Sequence, residues 1–170
     1  MKIPLKTLIN GFSLPVLGLG TWEMGGRTTR DPKNNDAANI TAIQTAIHLG
    51  LTHIDTAEMY AGGHTEELVG EAIRDFKRKN LSITTKVYPT HLTYQEVFDA
   101  AKGSLTRLKT DYIDLYLIHG PNKDVPVVET MRAMNELVDQ GLVRHIGVSN
   151  FSVERLKSAQ AHSRYPVVTN

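Results

Sequence analysis

Short β-branched or apolar runs recur along this chain at 16–19, 53–56, 83–87, 113–118, 143–148 and 167–169. Their starts fall about 30 residues apart, the size of one strand–helix unit. That repeat constrains the fold most, because parallel strands cannot be joined by a tight turn and need a crossover helix between them. The spacing therefore predicts an α/β chain with a parallel sheet, each run a buried strand.

The intervening segments carry helical patterns. Ile40, Ile43 and Ile47 share one face, with Asp36 as the candidate N-cap and Gly50 beyond the end. Thr65, Glu66 and Glu67 open a second helix toward Ile73, and Thr93 with Glu96 forms a capping box ahead of Val97, Ala101, Leu105 and Leu108. A fourth helix starts near Asp124 with Pro126 in its first turn, carries Met131, Met134 and Val138, and stops at Gly141; a fifth starts at Ser152. Ahead of the repeat, Leu8 and Ile9 face Phe12 and Leu14 across Asn10-Gly11, a dipeptide suited to a two-residue hairpin turn. The segment from Glu23 to Asn35, long, polar and glycine-rich, reads as a mobile loop over a site.

At 170 residues the chain suits one domain, 1–170. Hydrophobic content of 41% and charged content of 22% are those of a globular protein. A net charge of +1 provides no basic field for nucleic acid, and Cys 0 removes disulfides, thiolate nucleophiles and cysteine-held metals. Asn10, Gly11, Ser13 and Pro15 interrupt the apolar stretch behind Lys2 and Lys6, so no export signal is expected there. No apolar run is long enough to span a membrane, and a cytoplasmic protein is expected.

Periodicity alone leaves the sheet open and doubly wound or closed as a barrel. The polar residues favour the barrel. Asp55, Lys86, His119 and Ser149-Asn150 stand at the carboxyl ends of four different strand candidates. Barrels build sites at that rim from several strands, whereas an open doubly wound sheet gathers its contacts at one switch point. Each residue alone has a structural reading: a loop-bonding carboxylate, a packed Tyr60, a snorkelling lysine, a core histidine. Together they suit one reaction. A phenol is a poor acid near neutral pH, but an ammonium beside it stabilises the phenolate. Lys86 can do this for Tyr60, Asp55 can hold the lysine charged, and His119 can donate to a substrate carbonyl oxygen. Carbonyl reduction also needs a hydride that no side chain supplies, which implies a nicotinamide cofactor, with Ser149 and Asn150 placed to bind its carboxamide.

These stretches resemble the aldo-keto reductases. The matching segments are Gly18-Leu-Gly-Thr-Trp22, Gly50-Leu-Thr-His-Ile-Asp-Thr-Ala-Glu-Met-Tyr60, Thr84-Thr-Lys86, Asp111-Tyr-Ile-Asp-Leu-Tyr-Leu-Ile-His119 and Gly141-Leu-Val-Arg-His-Ile-Gly-Val-Ser-Asn-Phe151. The resemblance implies a (β/α)8 barrel and a catalytic tetrad at Asp55, Tyr60, Lys86 and His119. It further implies cofactor contacts at Thr21, Asp55, Ser149 and Asn150, and a substrate pocket touching Trp22, Tyr60 and His119. It implies NADPH, or NADH, as cofactor and a small aldehyde or ketone as substrate. By the same resemblance Asn170 falls inside the sixth strand, so a glutamine, a nicotinamide-stacking tyrosine and the pyrophosphate-clasping loops belong beyond it. Ala61 and Gly120 stand where the resemblance expects glycine and an aromatic. An incomplete barrel exposes strand edges, so the stretch is expected to be either part of a longer chain or a half-barrel that associates with another copy through them.

Four other chemistries fit less well. Glu23 occupies the third-glycine position after Gly18-x-Gly20, which weakens a phosphate-loop reading; His48, His53 and His64 lack zinc-site spacing; no G-x-S-x-G occurs. A Schiff-base lyase using Lys86 leaves Tyr60 and Ser149-Asn150 without a job. An inactive fragment or binding module that keeps the tetrad is the remaining alternative.

Overall fold

The computed structural model describes residues 3–170; Lys2, weighed above with the amino-terminal segment, lies outside them. A two-stranded antiparallel hairpin, β1 (Leu5–Thr7) and β2 (Ser13–Pro15), precedes a five-stranded parallel sheet of β3 (Leu19–Gly20), β4 (His53–Asp55), β5 (Ser82–Val87), β6 (Ile113–Ile118) and β7 (Val143–Val148). Five helices connect and follow the sheet strands: α1 (Asp36–His48), α2 (His64–Ile73), α3 (Tyr94–Leu108), α4 (Val127–Asp139) and α5 (Val153–Ala161).

The sheet strands pair in strict chain order, β3-β4-β5-β6-β7, all parallel. Each helix from α1 to α5 packs on the next. A doubly wound sheet reverses its strand order and puts helices on both faces, so this sequential arrangement is the wall of a barrel, as the spread of polar strand ends predicts. The sixth run pairs at one bridge, Ile146 with Val167, and extends through bonds from Val168 N–H to the Ile146 carbonyl and from Val148 N–H to the Thr169 carbonyl, both 3.0 Å.

The core lies between sheet and helices. Ile54, Ile83, Ile113 and Tyr116 from the strands meet Ile43, Val69, Ala101, Leu108, Met134 and Leu137 from the helices, all fully out of water. Each large side chain so buried contributes roughly 1.5–3 kcal/mol. Continuous burial along β6 explains its unalternating sequence, Ile-Asp-Leu-Tyr-Leu-Ile.

Three local expectations are corrected. The hairpin turn centres on Ile9-Asn10, with Gly11 N–H bonded to the Leu8 carbonyl (2.9 Å) and Gly11 at φ +85. Only Gly11 takes a left-handed conformation, so this is a turn followed by a glycine bulge, and Asn10 holds the loop by accepting from Phe12 N–H (3.1 Å). The first helix is capped by Asn35, whose side chain accepts from Ala38 N–H; Asp36 is its first residue and favours the positive helix end. Val16 and Leu17, read as the start of a buried strand, are 60% and 55% exposed. The capping box at Thr93 and Glu96 and the cap at Ser152 are as the sequence predicts.

Candidate active site

Four strand ends deliver the site. Asp55 ends β4 and Lys86 lies one residue before the end of β5, while His119 follows β6 and Ser149 follows β7. Lys86 is buried, and its three ammonium hydrogens have three acceptors: Asp55 Oδ2 at 2.7 Å, the Thr56 carbonyl at 2.9 Å and the Tyr60 hydroxyl at 3.2 Å. Lys86 Nζ also stands 5.0 Å from the Tyr60 ring centre. Aspartate, lysine and tyrosine are thus one connected group, as the sequence predicts.

Two aromatic rings frame the phenol. Trp22 meets the Tyr60 ring edge-on with centres 4.9 Å apart, and His119 does so at 5.8 Å. Trp22 is 40% exposed, an apolar wall open to solvent. Burial, and then the charge of Lys86, push the His119 imidazole below its ordinary range, so it is neutral near pH 7 with one N–H to give. Its Nδ1 is buried and has no partner among the described residues.

Tyr60 owes its position to an unusual turn. After Tyr60 the backbone runs left-handed through Ala61 (φ +51), Gly62 (φ +64) and Gly63 (φ +94), then enters α2. The 23–35 segment, expected to be mobile, is bonded to this turn: Ala61 N–H donates to the Arg27 carbonyl (2.6 Å), and the Thr65 hydroxyl to the Met24 carbonyl (2.5 Å). Glu58, which sequence reading passed over, accepts from Tyr88 N–H and His91 and so ties the β4 loop to the β5 loop.

The cofactor-side residues divide. Thr21 is fully buried, and both its N–H (3.0 Å) and its hydroxyl (2.9 Å) go to the Asp55 carbonyl, locking adjacent strand ends together. Asn150 is exposed at φ +61, a conformation asparagine tolerates. Its amide N–H2 donates to the His119 carbonyl (2.8 Å) and to Ser149 Oγ (3.0 Å). Asn170 pins the following turn, accepting from Phe151 N–H at 3.1 Å and donating to the Phe151 carbonyl at 2.9 Å. Nothing in the sequence around Asn170 signals that clamp.

Residues 16–170 match the pattern of the Aldo/keto reductase family. The chain belongs to the aldo-keto reductase family. It is 39% identical over 160 residues to the aldo-keto reductase YhdN of Bacillus subtilis, covering 89% of this chain and 48% of that protein. It is 44% identical over 138 residues to the methylglyoxal reductase YeaE of Escherichia coli, covering 81% and 46%. Among solved structures, the thermostable aldo-keto reductase Tm1743 in complex with the inhibitor epalrestat superposes with a TM-score of 0.95 at 50% identity, over 98% of this chain and 61% of that one. An aldo-keto reductase from Klebsiella pneumoniae in complex with NADP and acetate gives 0.82 at 39%, over 96% and 54%. The chain spans about half the length of the curated relatives it matches. Among the described residues no helix is long and apolar enough to cross a membrane, and no cluster of three metal-binding side chains occurs.

Proposed function

We propose that this aldo-keto reductase chain carries the acid–base centre for NADPH-dependent reduction of a small aldehyde or ketone, with Tyr60 as proton donor. The observation that carries the reading is the contact of the buried Lys86 ammonium with the Tyr60 hydroxyl, 3.2 Å, while Asp55 holds the lysine from the other side at 2.7 Å. The ammonium stabilises the phenolate that remains once the proton has left. Neutral His119 gives its N–H to the substrate carbonyl oxygen and holds that oxygen toward Tyr60.

The rim residues fit a primary carboxamide. Asn150 spends its N–H2 group internally and keeps Oδ1 as an acceptor, and Ser149 accepts from Asn150 and keeps its own hydrogen to donate. One donor beside one acceptor complements the carboxamide of a nicotinamide, which when bound supplies the hydride to the carbonyl carbon. The Klebsiella pneumoniae relative crystallised with NADP supports NADPH over NADH, and the methylglyoxal reductase YeaE makes methylglyoxal the first substrate to assay.

Saturation of the Lys86 donors weighs against a Schiff-base lyase, which needs a free amine, and borohydride trapping of substrate on Lys86 is the outcome that would revive it. Tyr60→Phe is expected to abolish NADPH consumption with methylglyoxal while saturable quenching of Trp22 by NADPH persists. Turnover retained in that variant sinks the proton-donor role. A parent chain with neither quenching nor turnover leaves the binding-module reading instead. Association of copies through the β3 edge and the outer edge of the 167–169 run, which pairs with β7, belongs to the same proposal, and a single monomeric mass in light scattering counts against it.

A further inference from the structure

Glu66 is fully buried in α2, between the helices and the sheet, where a carboxylate needs a specific reason to be. Burial pushes its carboxyl upward against the pull of Arg107. Its Oε1 accepts from the hydroxyl of Thr85 (2.5 Å), the residue directly before Lys86 on β5. Its Oε2 accepts from Arg107 Nε (2.7 Å) on α3. The Arg107 side chain in turn lies across Gly63, so close that a Cβ there would meet its Cδ and Nε at 2.9 Å. Gly63 closes the left-handed turn that begins at Tyr60.

Glu66 therefore joins, through one side chain on each arm, the strand that carries Lys86 and the turn that carries Tyr60. We propose that Glu66 and Arg107 form a positioning pair that fixes the Tyr60 hydroxyl over Lys86. The turn's own bonds, Gly62 N–H to the Met59 carbonyl (3.1 Å) and His64 N–H to the Ala61 and Tyr60 carbonyls, do not remove the steric cost of left-handed Ala61, which its surroundings must offset. On one side Arg27 and Met24 supply backbone acceptors, and on the other the Arg107 side chain packs against Gly63. A carboxylate in a dry site holds that guanidinium by a charge-assisted bond, which an amide would weaken.

The inference rests on Tyr60 being the acid, so its test reads Tyr60 without turnover. The chain has six tyrosines, and 3-fluorotyrosine labelling gives each a 19F resonance, Tyr60 being assigned as the line lost in Tyr60→Phe. In Glu66→Gln and in Arg107→Lys the Tyr60 line is expected to shift and broaden while that of Tyr165, whose hydroxyl bonds Asp139 on α4, stays in place. Arg107 is partly exposed, at 27% of its side chain, so Arg107→Lys decides the matter where Glu66→Gln fails to fold. An unmoved Tyr60 line in folded Arg107→Lys, or equal movement of all lines, overturns the proposal. Where the parent reduces methylglyoxal, kcat falls about 10- to 100-fold in both variants with KM unchanged. Loss of the proton-donor role would show as turnover retained in Tyr60→Phe and would leave the resonance result standing.

Discussion

Lys86 Nζ and Asp55 Oδ2 lie 2.7 Å apart across the ends of two adjacent strands, the lysine side chain 8% exposed and the aspartate side chain 35% exposed. That asymmetry separates function from stability. Removing Lys86 leaves a carboxylate that can still reach water, so no uncompensated charge is trapped. Lys86→Met is expected to abolish reduction while costing on the order of 1 kcal/mol, chiefly for the Thr56 carbonyl that loses its donor. Urea unfolding beside an NADPH-consumption assay checks both halves, and a loss above about 3 kcal/mol would make Lys86 a structural residue first.

Gly63→Ala and Ala61→Gly are expected to behave oppositely, although both change one methyl in one turn. At Gly63 the new Cβ meets a φ of +94 and the Arg107 side chain at 2.9 Å, and a cost of about 2 kcal/mol follows. At Ala61 relief of left-handed strain, about 1–2 kcal/mol, is offset by loss of a buried methyl at about 0.8 kcal/mol and by added freedom of the unfolded chain at about 0.4–1 kcal/mol. Ala61→Gly is thus near neutral. Thermal unfolding of the two variants tests the ordering, and equal destabilisation would contradict the turn geometry.

What the sequence made legible follows from which signals are local. Asp55, Lys86 and His119 each interrupt the end of an apolar run, so their shared rim could be read from the repeat alone. The Tyr60 turn could not be, because its left-handed path passes through Ala61, a residue with no preference for it, and is held by Arg27 and Arg107 from outside. Glu66 hid in plain view: beside Glu67 at a helix start it reads as a solvated charge, and only the docking of α2 on α3 and β5 buries it. Asp36 lost the cap to Asn35 because adjacent residues of equal capping ability are distinguished by tertiary geometry. Asp114 was passed over for a similar reason, being a single polar residue inside a strand that otherwise reads as core.

Asp114 anchors the opposite end of the sheet. It is 5% exposed and accepts from Ile83 N–H (3.0 Å), Arg78 (2.6 Å) and Arg144 (3.5 Å), while both guanidinium groups stack on Tyr112 at 4.1 and 3.6 Å. Asp114→Ala orphans a buried N–H and strands a partly buried cation, a loss of about 3–5 kcal/mol. Asp114→Asn keeps an acceptor and should cost about 1–2 kcal/mol. Because this end of a parallel barrel carries stability and the other carries chemistry, NADPH quenching of Trp22 is expected to be unchanged in whatever fraction of Asp114→Asn remains folded.

Acid should weaken the fold before its carboxylates titrate. Burial, the largest cause, holds His53 below its ordinary value, and burial with Lys86 does the same for His119. As pH falls through about 6.5, the value of an unfolded histidine, the unfolded chain binds protons that the folded chain refuses, and stability drops until the lower folded values are reached. Glu66, raised by burial, acts in the opposite sense above its unfolded value. Asp36 and Glu96, lowered chiefly by side-chain hydrogen bonds, lose their contribution only at more acid pH. His53 donates to or accepts from the Thr84 hydroxyl at 3.0 Å, and glutamine can replace that bond without titrating. The urea midpoint is therefore expected to be lower at about pH 5.5 than at about pH 7.5, by a margin that shrinks in His53→Gln. Since Glu66 is present in both chains, its opposing effect cancels from that comparison, and an unchanged margin would mean that His53 titrates alike in the folded and unfolded states.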